Sequence, residues 1–403
     1  MKFNSPYDTL EEVASLMSRY WQAAPKLSEA ALIQANNIQQ YWAGILQYMN
    51  SFNAPASAAL DAFLLAEQEK LPEHSPIENM RDYLELLNFN LLLANKGMAG
   101  SLAAVNSFYF KKLRESFASV IDTFAEDGGK DAVAFASEQD VLYKVAVQEY
   151  PKAIKDIKSE YGFHFENPGY SKAAETERFE LWQVLPTNPD APIADNGKPI
   201  LIIPPYVLGA NILAFLPGEQ RSYVHCFANQ GIPTYIRIVK DIETAPAVQV
   251  MTGEDDALDI RYFCEQLMSR HGRQITLNGF CQGGYHSLAA ILSGELDGLV
   301  DAFITCATPI DGSRSKSLTD YMNSLPERFR DLKYSLKTLP NGNRVVDGNI
   351  LSWVYKLRKM ETESPIPAYH RDLSMFDGQR GPKLRINKTA AAVNQWLTYD
   401  QVD

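Results

Sequence analysis

Cysteine is scarce in this chain: four residues in 403, at Cys226, Cys264, Cys281 and Cys306, widely spaced and without a C-x-x-C pair. That spacing excludes the disulfide framework of a small secreted domain and the usual thiolate zinc or dithiol redox site. No stretch approaches the ~18 uninterrupted apolar residues of a membrane span. The opening MKFNSPYDTLEEVASL has no basic stretch followed by an apolar run, so no secretory leader is expected. The expectation is a reduced, cytoplasmic protein. Positive charge is in deficit: 38 Lys and Arg against 49 Asp and Glu leave a net charge of −11. This argues against nucleic acid as a partner, because phosphate binding needs clustered cations. Neither a Walker loop nor G-x-G-x-x-G occurs, so nucleotide hydrolysis and dinucleotide redox chemistry lack support. What is present, 46% hydrophobic and 22% charged residues, is ordinary for a globular chain with a large core. The length suggests two domains, or one large domain with an added element.

The pattern changes character near residue 175. Before it, apolar residues recur at helical spacing. Ser28-Glu29 opens one helix, Pro55 precedes a second, Pro76 begins a third that stops before Gly97, and a fourth runs from about Leu102 to Phe124. Residues 1–165 therefore read as an N-terminal helical domain. Beyond it, strands at Phe179–Leu185, Pro199–Pro204, Ile232–Ile238, Gln274–Phe280 and Leu299–Cys306 alternate with helices near 221–230, 255–270 and 284–292. Residues 175–311 thus predict an α/β core with a mostly parallel sheet covered on both faces. Asp255-Asp256 fit the positive end of their helix's dipole. Residues 312–403 lose the rhythm and read as an irregular, partly helical insertion.

The sharpest local signal is ITLNGFCQGG, Ile275 to Gly284: an apolar strand runs into G-x-C-x-G-G and a helix follows. This is the pattern of a nucleophile elbow with Cys281 in the serine position. Gly279, Gly283 and Gly284 supply the small residues that a strained strand-to-helix turn requires. The helix N-terminus behind Cys281 favours the anionic sulfur, the attacking form. The backbone N–H of Gln282 is placed to hold a developing oxyanion. A second donor is expected from the loop after the PILIIPPYVLGAN strand. Pro205 cannot donate, which leaves Val207 or Tyr206.

KPILIIPPYVLGANIL, GFCQGG and the later CATPIDG occur in the order and at the separations of the polyhydroxyalkanoate synthase family, which residues 175–375 resemble. The resemblance implies an α/β-hydrolase-like, mostly parallel sheet with a cap insertion, preceded here by the helical domain. It implies acyl transfer as well: polymerisation of (R)-3-hydroxyacyl-CoA through an acyl-cysteine, with coenzyme A thioester as substrate rather than cofactor and no metal. Expected partners are 3-hydroxyacyl-CoA, the growing polyester and its granule surface, and a homodimer mate or a helical subunit. Neither nucleic acid nor a transmembrane segment is expected. The Cys-Gln-Gly-Gly form is most similar to the short synthases that work with a separate helical subunit, and Leu351–Asp377 resembles the cap.

The family's triad is Cys, Asp and His in chain order, the last two on loops after the cap. After Cys281 no strand ends in Gly-x-x-Asp and no late Gly-His occurs. His370, with Asp372, is the substitute base that can be named; His286, five residues past Cys281 on the same helix, is expected to point away. Either the chain is a truncated synthase, which is favoured, or it is a short protein with a nucleophile and no base. Truncation would bare the sheet edge at the Leu299–Cys306 strand. Little or no polymerase activity is expected of the chain alone. A thioesterase or intracellular polyester depolymerase on the same fold, and a non-catalytic granule-associated protein, remain open. Cys226, Cys264 and Cys306 read as buried structural thiols. Asp311 reads as the cap of its turn, and Arg380–Lys388 as a solvated loop or a contact for coenzyme A phosphates.

Overall fold

A computed structural model describes residues 6–125, 129–155, 161–188, 190–194, 197–217, 220–377 and 401–402. The basic run at 380–388 lies outside them. Five helices come first: α1 (Pro6–Asn53), α2 (Ala56–Lys70), α3 (Pro76–Ala125), α4 (Ala132–Lys144) and α5 (Tyr150–Lys155). A six-stranded sheet follows, made of β1 (Tyr170–Glu175), β2 (Phe179–Val184), β3 (Ile200–Ile203), β4 (Thr234–Val239), β5 (Ile275–Phe280) and β6 (Val300–Cys306). Its helices are α6 (Tyr223–Ala228), α7 (Pro246–Gln249), α8 (Gly253–His271) and α9 (Gln282–Leu292). The last described stretch holds α10 (Lys316–Ser324), a small sheet of β7 (Leu336–Thr338), β8 (Arg344–Val346) and β9 (Gln401–Val402), then α11 (Gly348–Leu357), α12 (Met360–Glu363) and α13 (Pro365–Phe376). No helix among the described residues is long and apolar enough to cross a membrane.

The protein is mixed α/β, with a mostly parallel sheet of order β1-β2-β4-β3-β5-β6 and a helical N-terminal region. β2 runs antiparallel to β1 and β4, whereas β4, β3, β5 and β6 are mutually parallel. Every residue of the central β3 is buried, which explains its unbroken Ile-Leu-Ile-Ile run. β1 is an edge strand without a clean apolar period, and the sequence pattern did not reveal it. Among the described residues β6 ends the sheet on the other side, with Ile304 exposed.

The chain forms two compact units, and their membership is not contiguous. The helical unit takes Met1–Ala54, Leu91–Lys155 and Lys359–Thr389; the α/β unit takes Pro55–Asn90, Asp156–Arg358 and Ala390–Asp403. Boundaries at 165 and 312 miss two exchanges. In the first, α2 and the start of α3 join the α/β unit, because the buried Glu67 accepts from Arg328 Nη2 at 2.6 Å and from the Tyr334 hydroxyl at 2.6 Å. In the second, α12 and α13, part of the expected cap, join the helical unit. There the Tyr48 hydroxyl donates to Asp372 Oδ2 at 2.6 Å, and Lys112 reaches Asp377 at 3.0 Å.

Two expected helix breaks are absent. The helix read from Ser28 is the later part of α1, which continues through Pro25; the Ser28 hydroxyl bonds back to the Ala24 carbonyl at 3.0 Å instead of capping a start. The third and fourth expected helices are one, α3, running through Gly97 and Gly100. Gly100 is needed for close packing rather than termination: a β-carbon there would lie 2.1 Å from the Glu361 carbonyl oxygen.

Candidate active site

The site is built at the carboxyl ends of β3, β5 and β6. β5 ends at Phe280, α9 begins at Gln282, and Cys281 alone makes the turn with φ +52° and ψ −123°. A side chain with positive φ is strained and persists only where surrounding structure over-determines it. Here the backbone on both sides does so: Cys281 N–H donates to the Cys306 carbonyl at 2.7 Å, and its own carbonyl accepts from Gly284 N–H at 3.0 Å. The thiol is partly exposed.

The three elbow glycines are contact points between layers. A β-carbon on Gly279 would lie 2.3 Å from Gly284 Cα, one on Gly283 would lie 2.2 Å from the Ile203 carbonyl oxygen, and one on Gly284 would lie 1.9 Å from Thr308 Oγ1. Ile203 leads into the Pro204-Pro205 turn and Thr308 belongs to the T-P-I-D segment. The three sequence motifs therefore meet at one point, although the last begins at Cys306 and the first ends at Leu213.

Gln282 opens α9, where the first helical N–H groups have no partner within the helix. Val207 N–H donates to the Gln282 side-chain oxygen at 3.1 Å, so both expected backbone donors lie beside the thiol's turn, and one is held by a side chain of the elbow itself. Tyr206 turns its side chain into the core: its hydroxyl donates to Asp256 Oδ1 at 2.8 Å and accepts from Arg237 Nη2 at 3.1 Å.

That core contact exposes what pattern reading missed. Asp255 does cap α8, forming a reciprocal box with Thr252. Asp256, its neighbour, is 2% exposed and pairs with Arg237, itself 1% exposed and stacked 4.0 Å from the Phe179 ring centre. Burial pushes the Asp256 carboxyl up, but the guanidinium and the His286 and Tyr206 hydrogen bonds outweigh it and hold it well below the usual carboxylate range. His286 Nδ1 lies 3.1 Å from Asp256 Oδ2. Nothing in the α8 pattern distinguishes Asp255 from Asp256; only the neighbouring strand does. Tyr355, on α11, is a second omission. Burial first and the nearby Cys281 second raise its hydroxyl above the ordinary tyrosine range.

His370 belongs to the helical unit and is buried. Its Nε2 shares a 3.1 Å hydrogen bond with the Tyr41 hydroxyl and its Nδ1 faces the Ile366 carbonyl at 2.8 Å, so both ring nitrogens are engaged within that unit. Asp372 is held there by Tyr48, and burial raises its carboxyl. Asp311 caps its turn, accepting from Ser313 N–H at 3.1 Å. Of the other thiols Cys264 is buried, Cys306 is half-buried, and Cys226, expected inside, is exposed because α6 is short and turns that face outward. Among the described residues no group of His, Cys, Asp and Glu could hold a metal ion. Compared with models of protein families and with curated proteins, the chain matches none.

Proposed function

We propose that this chain is a cysteine acyltransferase of the α/β-hydrolase type, acting on (R)-3-hydroxyacyl-CoA as polyhydroxyalkanoate synthases do. The observation that carries the reading is the backbone of Cys281: a positive-φ residue alone between a buried parallel strand and a helix, with glycines where its neighbours touch. Such strain is spent where a side chain must be held out for attack.

In the proposed step the Cys281 sulfur attacks the thioester carbonyl, a C–S bond forms, and the coenzyme A sulfur leaves. The Gln282 N–H and the Val207 N–H are the donors for the tetrahedral oxyanion, each such donor being worth about 3–4 kcal/mol of barrier in related chemistry. Val207 N–H is held by Gln282 Oε1, so that side chain must yield the donor to the substrate oxygen. A hydroxyl of a second acyl unit then attacks the acyl-cysteine carbonyl, the C–S bond to Cys281 breaks, and the hydroxyl proton passes to the departing Cys281 sulfur. Hydrolysis, with water in place of that hydroxyl, is distinguished by its product: free hydroxyacid rather than polymer.

The test is incubation with (R)-3-hydroxybutyryl-CoA, following coenzyme A by thiol trapping and the protein by intact mass. One equivalent of coenzyme A and a hydroxybutyryl adduct on Cys281 are expected, both absent in Cys281→Ala. Coenzyme A release that is unchanged in Cys281→Ala overturns the reading.

A further inference from the structure

The helical unit holds a cleft of its own, about 220 Å³, lined from α1, α3 and α4. At its centre is the buried ring of Tyr41, whose hydroxyl shares a 3.1 Å hydrogen bond with His370 Nε2. Trp42, Tyr109 and Tyr143 surround that ring at 77°, 74° and 72° to it, with ring centres 5.6, 5.9 and 6.0 Å away. Rings set nearly at right angles make the walls of a box, and aromatic walls of this kind attract organic cations through the negative faces of their π systems.

Two buried amides line the same cleft, and among the described residues neither oxygen has a donor. Asn37 is 1% exposed. Its Nδ2 donates to the Ala136 carbonyl at 2.9 Å and to Gln34 Oε1 at 3.4 Å, which sets the orientation of the amide and leaves Oδ1 as the free end. Gln139 is 4% exposed, and its Oε1 is free as well. On α1 and on α4 alike the amide stands four residues before a tyrosine of the box, Asn37 before Tyr41 and Gln139 before Tyr143, so on each helix amide and ring share a face. A buried oxygen without a donor destabilises the fold, and here two of them line one cleft. Lys112 lines it too, but its ammonium is held at 2.8 Å by Glu115 and at 3.0 Å by Asp377, and Lys111 reaches Asp377 at 2.6 Å. These two lysines and two carboxylates carry no net charge.

We propose that this cleft binds a primary organic ammonium ion, whose N–H groups donate to Asn37 Oδ1 and Gln139 Oε1 while its alkyl stem lies among the rings of Tyr41, Trp42, Tyr109 and Tyr143. Such an ion brings only donors, and the amides offer only acceptors. The volume equals that of about seven waters at roughly 30 Å³ each, enough for the ammonium and a short alkyl stem. The net charge of −11 draws cations toward the chain. Every residue of the site belongs to the helical unit, so the proposal is independent of Cys281 and of the acyl-transfer reading.

The experiment uses the full chain and n-pentylammonium, with n-pentanol as the control that lacks the charge and n-pentyltrimethylammonium as the control that lacks N–H groups. Calorimetry should show n-pentylammonium binding at least about tenfold tighter than either control, the worth of a hydrogen bond to a charged group. The indole N–H signal of Trp42 should shift on its addition. Trp42 is 58% exposed, so Trp42→Leu leaves the core intact and should weaken binding about three- to fivefold. Gln139→Met separates a binding role from a structural one. It removes an oxygen that has no donor in the fold, so it should weaken n-pentylammonium at least about tenfold and at the same time raise the urea midpoint. Equal affinity for n-pentylammonium and either control, a silent Trp42 indole, or binding unchanged in Gln139→Met overturns the assignment. A lowered midpoint in Gln139→Met overturns it as well, because the amide is then turned to satisfy a partner within the fold.

Discussion

Replacing Gly283 by alanine tests the elbow by its packing. The added methyl would lie 2.2 Å from the Ile203 carbonyl oxygen and 2.6 Å from that of Pro204, whereas ordinary contact begins near 3.4 Å. Roughly 1 Å of displacement is required. The obstacle is backbone, so no side chain can swing aside, and β3 is hydrogen-bonded on both sides, to β4 and β5. Overpacking of this kind costs about 1–3 kcal/mol, and the rigid surroundings place this site at the top of that range. Alanine's advantage over glycine in a helix returns about 0.8–1.0 kcal/mol, for a net loss of about 2 kcal/mol. Gly253, the first residue of α8, is the control: nothing lies within 4 Å of its added methyl and its φ is not positive, so alanine should gain about 0.4–1 kcal/mol. The two variants should therefore differ by about 2.5–3 kcal/mol in urea midpoints at unchanged m-value. Gly283→Ala should also slow the proposed acylation of Cys281, because lifting α9 from β3 moves the backbone N–H of Gln282 away from that of Val207, and the two are the proposed oxyanion donors. Equal midpoints for the two variants would refute the contact of α9 with β3 and, with it, the elbow.

Two predictions concern buried charge. Asp256→Asn leaves Arg237 without its counter-ion in the core and should cost about 3–5 kcal/mol. Because the folded carboxyl sits below its unfolded range near 3.9, the pair's contribution is complete above about pH 4 and lost only as pH falls further; the gap between wild type and Asp256→Asn should be flat from pH 8 to 5 and close in more acid solution, read by urea unfolding at each pH. His225 has the same sign, but its contribution is lost within the range of ordinary pH. Burial lowers it to about 4, so the folded state favours the neutral ring, and stability that is present above about pH 6.5 drains away as pH falls toward 4. Between pH 8 and 5 that single group should remove about 2 kcal/mol, a slope that His225→Gln should abolish in the same unfolding series.

How much of this was legible in the residues follows from how local each signal is. The strands β2 to β6 were readable because each carries a short run rich in apolar residues, and their observed ends differ from the expected ones by a residue or two. The strand-to-helix turn was readable because a positive-φ residue and its close approaches demand glycine at fixed offsets from it. Helix breaks were not: Gly97 looks like a terminator, yet α3 passes through it and through Gly100, where the neighbouring Glu361 backbone needs the room.

What the sequence by itself determined was the sharp strand-to-helix turn at Cys281 and the alternation of strands and helices around it, since both arise from the conformational preferences of adjacent residues. Tertiary structure alone decided which unit residues 55–90 and 359–376 join, that Asp256 faces Arg237 and His286 while Asp255 caps a helix, and that Val207 meets Gln282. Those outcomes depend on burying groups far apart in the chain, and a hydrogen bond between residues 75 positions apart leaves no mark on the pattern of either neighbourhood.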